Sequence, residues 1–129
     1  MALEVALPRL LEEFQFFSEL MYELHVPNPM PDLSPAHRHA FYRAAQEGLT
    51  NIQKHAQASK VSVSLAQEGN SWVLRVKDDG RGPQASCEAP GFGLLGLRER
   101  AELLGGTVKL DAVKSGGSVL IVALPVEKH

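Results

Sequence analysis

Residues 61–82, VSVSLAQEGNSWVLRVKDDGRG, decide how this chain folds. Val61, Val63 and Leu65 alternate with serines, which is the period of a half-buried strand. Glu68-Gly69-Asn70 is turn chemistry, because glycine and asparagine accept the backbone angles of a tight reversal. Trp72, Leu74 and Val76 then alternate in the returning arm of a hairpin. That arm runs without a break into Asp78-Asp79-Gly80-Arg81-Gly82. Asp-Gly is common in turns, and a plain turn is one reading. A second reading takes the two glycines after an apolar strand as backbone closely approached by a flat ligand, with one carboxylate buried against a donor.

Beyond this stretch, residues 83–90 hold two prolines and small or polar side chains, and read as a loop. Gly91 to Gly96 is rich in glycine and opens a helix from Leu97 to Leu104, which Gly105-Gly106 stops. Val108 and Leu110 begin a strand, Gly116-Gly117 turns it, and Val119 to Leu124 form a last, mostly apolar strand. Towards the N-terminus, Pro8 to Glu23 reads as a helix with Pro8 in its first turn and Leu10, Phe14, Phe17 and Met21 at helical spacing. Residues 22–26 alternate like a short strand. Pro27, Pro29, Pro31 and Pro35 exclude regular structure up to residue 35. Ser34 caps a helix that runs to about Gln57, with Phe41, Ala44, Ala45, Leu49, Ile52 and Ala56 as its apolar stripe. The expected fold is α+β, a two-layer α/β sandwich whose mixed, mostly antiparallel sheet carries the helices on one face. Residues 1–129 are expected to form one domain.

Composition sets the outer limits. Of 129 residues, 44% are hydrophobic and 22% charged, as in a soluble globular domain. A net charge of −2 supplies no basic field for nucleic acid or an acidic membrane. No apolar run approaches the roughly 20 residues that span a bilayer. Glu4, Pro8 and Arg9 break the pattern of a signal peptide. Cys87 is the single cysteine, so an internal disulfide is excluded. These features together point to the cytoplasm.

Two further patterns carry chemistry. On a helix, Glu47, Asn51, Lys54 and His55 stand at i, i+4, i+7 and i+8 and share a face. A solvated stripe and a ligand-binding stripe both fit an acid, an amide, a cation and an imidazole so placed. Gly91-Phe92-Gly93-Leu94-Leu95-Gly96 lacks the preceding strand of a dinucleotide-binding fingerprint, and no Walker lysine follows it. A glycine loop opening a helix nevertheless offers unpaired N–H groups to phosphate.

In this order, the three patterns resemble the ATP-binding fold shared by gyrase, Hsp90-type chaperones, histidine kinases and MutL proteins. Asn51 matches the asparagine box, Asp78 to Gly82 the first glycine box and Gly91 to Gly96 the second. Gly116-Gly117-Ser118 resembles the closing Gly-Thr, with serine for threonine. Ala45–Ala56 and Gly93–Gly106 look most like the histidine kinases that pair with NarL-type response regulators. The resemblance implies ATP and Mg²⁺ as ligands. Asp78 would accept from the adenine amino group, and Gly80 and Gly82 would let the backbone pass the ring. Asn51 would bind Mg²⁺, Lys54 would neutralise phosphate, and His55 would touch ribose or phosphate. Gly91, Gly93, Leu94, Gly96 and Leu97 would line the phosphate end, and Ser118 would close the site. Glu47 matches the carboxylate that activates water in the ATPases, or else only orients groups around Mg²⁺. Arg98 either assists phosphate binding or pairs with Glu102. Residues 83–90 would be the lid.

None of the five histidines has the helical setting of a phosphoacceptor. The resemblance therefore implies a catalytic module, expected to be monomeric, that acts on a separate dimerisation and phosphoacceptor domain and, through it, a response regulator. The rival is a stand-alone, anti-sigma-factor-like serine kinase of the same superfamily, and a degenerate scaffold is the third reading.

Overall fold

The computed structural model describes residues 2–18, 20–53, 58–80, 94–114 and 116–126, without the side chains of residues 17 and 18. Among them stand α1 (Leu3–Ser18), β1 (Met21–His25), α2 (Pro35–Asn51), β2 (Lys60–Glu68), β3 (Ser71–Asp78), α3 (Leu94–Leu103), β4 (Thr107–Ala112) and β5 (Ser118–Pro125). The strands form one sheet in the order β1-β2-β3-β5-β4. β1 pairs with β2 in parallel, and every other pairing is antiparallel. The hairpin closes at Gly69, whose φ of 62° suits glycine.

Register decides which side chains meet the helices. Val63 lies opposite Val76, Leu65 opposite Leu74, Val76 opposite Leu120 and Leu74 opposite Val122. All of these are buried, in one core with Phe41, Ala44, Ala45 and Leu49 of α2. The alternate positions, such as Ser62, Ser64, Arg75 and Lys77, fall on the other face. The expected sandwich, with its helices on one side of a mostly antiparallel sheet, is what the chain forms.

Three boundaries differ from expectation. α1 begins at Leu3 and ends at Ser18, so Pro8 lies inside the helix and not in its first turn. Interior proline costs about 3 kcal/mol. Leu3, Leu7 and Leu11, each at most 1% exposed, outweigh it at about 1.5–3 kcal/mol per buried side chain. Met21 and Glu23, expected on the helix, are exposed on β1. Phe14 is buried as expected, whereas Leu10 is only partly so. α2 stops at Asn51 and continues through Ile52 and Gln53 as a π-type turn; the expected end at Gln57 lies outside the described residues. α3 starts three residues before the predicted Leu97, because Leu94 is itself a core side chain, 3% exposed.

Candidate functional site

α2 is aimed by its two ends. Ser34 caps it, its hydroxyl accepting the His37 N–H at 3.1 Å. The His37 ring is buried between the Ser34 hydroxyl (Nδ1, 3.0 Å) and the Pro125 carbonyl (Nε2, 3.0 Å). The start of α2 is thereby fixed beside the end of β5. Farther along, a Cβ at Gly48 would stand 3.1 Å from Val76 and 3.2 Å from Leu120, so the missing side chain lets the helix lie close on β3 and β5. α2 therefore runs from the Pro125 end of the sheet towards the Asp78 end and delivers Asn51 there. The amide oxygen of Asn51 is buried.

The sheet brings Asp78 and Ser118 together at that end. Lys77 lies opposite Val119, so the next residues of the antiparallel pair are neighbours on the helix-facing side. Asp78 is 3% exposed. Its Oδ1 accepts the Gly80 N–H at 2.8 Å, and its Oδ2 accepts the Ser118 hydroxyl at 2.7 Å. Gly117 makes this approach possible. Its φ is 88°, and a Cβ there would stand 1.9 Å from the Asp78 carbonyl oxygen. The Gly-Gly-Ser read as a closing motif is thus built into the floor of the acidic site.

α3 is anchored to the sheet by its C-terminus. It ends in a Schellman turn, with Gly106 N–H donating to the Ala101 carbonyl (2.7 Å), Gly105 N–H to that of Glu102 (3.0 Å), and Gly105 at φ 80°. Gly106 packs so closely on Ala123 that a Cβ would overlap its carbonyl oxygen at 2.1 Å. Its C-terminus is thereby held against Ala123 of β5. Leu94 and Leu97 are core side chains, which leaves only their backbone for a ligand. Gly96 differs from the other glycines near the core: among the described residues, nothing lies within 4 Å of where its Cβ would be. Packing among the described residues does not require glycine there.

Glu47 on α2 is partly exposed and lies 3.5 Å from Arg43. Arg98 is half-buried on α3. Lys54, His55, Gly82, Gly91, Gly93 and the expected lid lie outside the described residues. Sequence reading missed the role of Asp79. Its carboxylate accepts the Ser59 N–H (2.8 Å), the Lys60 N–H (3.0 Å) and the Ser59 hydroxyl (2.6 Å). These bonds, that of the Ser59 side chain foremost, lower its pKa to about 2. Nothing local announces this contact, because its partners lie about twenty residues upstream. Reading also missed His37 as the tie between α2 and β5.

A sandwich with a buried, doubly donated carboxylate at one strand end, approached by the end of α2, belongs to the class of ligand-binding α+β domains. Residues 36–128 match the family described as "Histidine kinase-, DNA gyrase B-, and HSP90-like ATPase", and the chain belongs to that family. Membership implies binding of ATP and Mg²⁺ in general. The chain is 41% identical over 93 residues to the signal transduction histidine-protein kinase/phosphatase UhpB of Salmonella typhimurium, covering 72% of this chain and 18% of that protein. It is 34% identical over 129 residues to the nitrate/nitrite sensor protein NarX of Escherichia coli, covering 98% of this chain and 21% of that one. It thus spans about a fifth of the curated relatives it matches. The Acinetobacter baumannii histidine kinase AdeS shares the fold, with a TM-score of 0.79 at 18% identity over 97% of this chain and 65% of that one. Among the described residues, no helix is long and apolar enough to cross a membrane.

Proposed function

We propose that this chain is the catalytic, ATP-binding module of a two-component histidine kinase. It binds Mg-ATP and presents the γ-phosphate to a histidine on a separate dimerisation and phosphoacceptor domain, from which a response regulator takes it. The observation that carries the site assignment is the Asp78 carboxylate, buried on the helix-facing side and held by Gly80 and Ser118. An ionised carboxylate has about four acceptor positions, so two donors leave room for an adenine amino group. The residues present suit the ligands. The buried amide oxygen of Asn51 is the hard donor that Mg²⁺ takes, and the space at Gly96, open among the described residues, suits phosphate on α3.

In this reading, Asp78 selects the base and Asn51 holds the metal, with Lys54, His55, Gly80 and Gly82 lining the nucleotide. Backbone at Gly91, Gly93, Leu94, Gly96 and Leu97 takes the phosphates. Ser118 acts through Asp78 by fixing its rotamer. Glu47, balanced by Arg43, orients groups near the metal. Mg²⁺ supplies charge neutralisation across the phosphates, and positioning does the rest. Residues 1–129 form a single functional domain.

Calorimetric titration tests the division of labour. Asp78→Asn should weaken ADP at least about tenfold, with Mg²⁺ or with chelator, because a buried charged acceptor is lost. Asn51→Ala should abolish the Mg²⁺-dependent part of ATP binding and leave metal-free ADP binding nearly unchanged. If Asp78→Asn binds ADP as tightly as the parent, the adenine assignment is wrong. Incubated alone with radiolabelled ATP, the chain should bind nucleotide without stable, acid-labile label on any histidine.

A further inference from the structure

Asp78 and Asp79 are adjacent yet serve opposite faces of the sheet. Asp78 turns inward to Gly80 and Ser118. Asp79 is exposed and reaches the segment that enters β2, holding two backbone N–H groups and one hydroxyl of Ser59 and Lys60. The backbone adds a bond in the other direction, from the Asp79 N–H to the Lys60 carbonyl at 3.3 Å. Ser59 is held from its other side as well, its carbonyl accepting the Met21 N–H at 3.1 Å. One carboxylate thus joins the exit of β3 to the entries of β2 and β1. Charge-assisted bonds of this kind are short and directional. With a pKa of about 2, the carboxylate stays ionised at any working pH.

We infer that Asp79 is a positioning residue for nucleotide binding, which clamps the chain leaving β3 and so holds the Asp78–Gly80 turn in the shape that accepts adenine. The inference rests on the reading of Asp78 as the adenine acceptor. Its physical basis is the single peptide unit on each side of Asp79. Consecutive Cα atoms are about 3.8 Å apart, so Asp79 cannot shift without moving Asp78 or Gly80. Gly80 supplies the N–H that fixes Asp78 Oδ1. Once released, the turn keeps its inner bonds but loses its outer anchor, and Asp78 samples more orientations. Binding then has to select the competent one.

The test is calorimetry with ADP and with GDP, in chelator, on Asp78→Asn, Asp79→Ala, Ser59→Ala and the Asp79→Ala/Ser59→Ala double variant. Asp79→Ala should weaken ADP about five- to tenfold and Ser59→Ala about twofold, the scale of ordinary hydrogen bonds, because the clasp is exposed to solvent. The double variant should be no weaker than Asp79→Ala, since both changes break one clasp. The preference for ADP over GDP should fall with each, because the clasp acts through the base-reading carboxylate. Additive losses in the double variant would overturn the clasp. A lower melting temperature with an unchanged ADP:GDP preference would mark Asp79 as a stabilising residue only, and would also overturn it. Should Asp79→Ala fail to fold, Ser59→Ala carries the test alone, since it removes only a hydroxyl at an exposed turn. If Asp78→Asn weakens ADP and the clasp variants do not, the clasp fails while the adenine site stands. If Asp78→Asn has no effect, the adenine reading itself fails.

Discussion

α2 and α3 both carry candidate residues and both pack on the sheet, but the fold grips them differently. α2 spans 17 residues, is capped by Ser34, tied to β5 through His37, and buries Ala40, Phe41, Ala44, Ala45, Gly48 and Leu49. α3 spans 10 residues and buries only Leu94, Leu97 and Ala101. Its Leu95 and Leu103 are 68% and 87% exposed. The wall carrying Asn51 is therefore part of the core, whereas the wall carrying Gly96 is laid over its edge. On the proposed reading, a site that holds a base and metal firmly, yet releases a spent nucleotide, gains from that asymmetry. Low local contact is where opening begins.

The largest expected effect tests the firm wall. Phe41 has no exposure at all, and Phe41→Ala should cost about 3–5 kcal/mol of stability. Leu97→Ala on α3 should cost about 2 kcal/mol, the low end for a buried leucine, because the edge can partly collapse onto the space. Leu103→Ala should stay within about 0.5 kcal/mol. Urea midpoints at unchanged slope measure all three. If Leu97→Ala costs as much as Phe41→Ala, the two walls are equally built in and the contrast dissolves.

What was legible in the sequence follows the same division. The hairpin and the stripe of α2 were readable because burial there imposes strict periods, two residues in Val61–Leu65 and three to four in Phe41–Leu49. Asp78 stood out because it ends an apolar strand next to glycines, and Ser118 because it follows a glycine pair. α1 was misplaced because proline was given its favoured first-turn position, while the buried leucines from Leu3 onward determine where the helix starts. Asp79 and His37 were illegible for a different reason. Their partners, Ser59 and Pro125, come to them only through the sheet order and the packing of α2, and no local pattern encodes that.

An effect smaller than that of either core substitution concerns the outer clasp and acid. A carboxyl whose folded pKa is depressed adds stability that is complete above its unfolded pKa and lost as pH falls through the folded one. For Asp79 that window runs from about pH 4 down to about pH 2. Asp79 is exposed, so solvent screening limits the contribution to no more than about 1 kcal/mol, or a few degrees in Tm. Glu23, lowered by Lys60 and then His25, and Glu68, lowered by Arg75, change stability in the same direction. Asp79→Asn leaves those two carboxylates in place, so the difference between the parent and variant melting curves isolates the clasp. The parent should lose more Tm than Asp79→Asn between pH 4 and pH 2, with the two curves parallel above pH 5. Parallel curves through the whole acid range would mean that the Ser59 and Lys60 bonds do not favour the ionised form. Asp79 would then have no charge-dependent hold on the β2 entry.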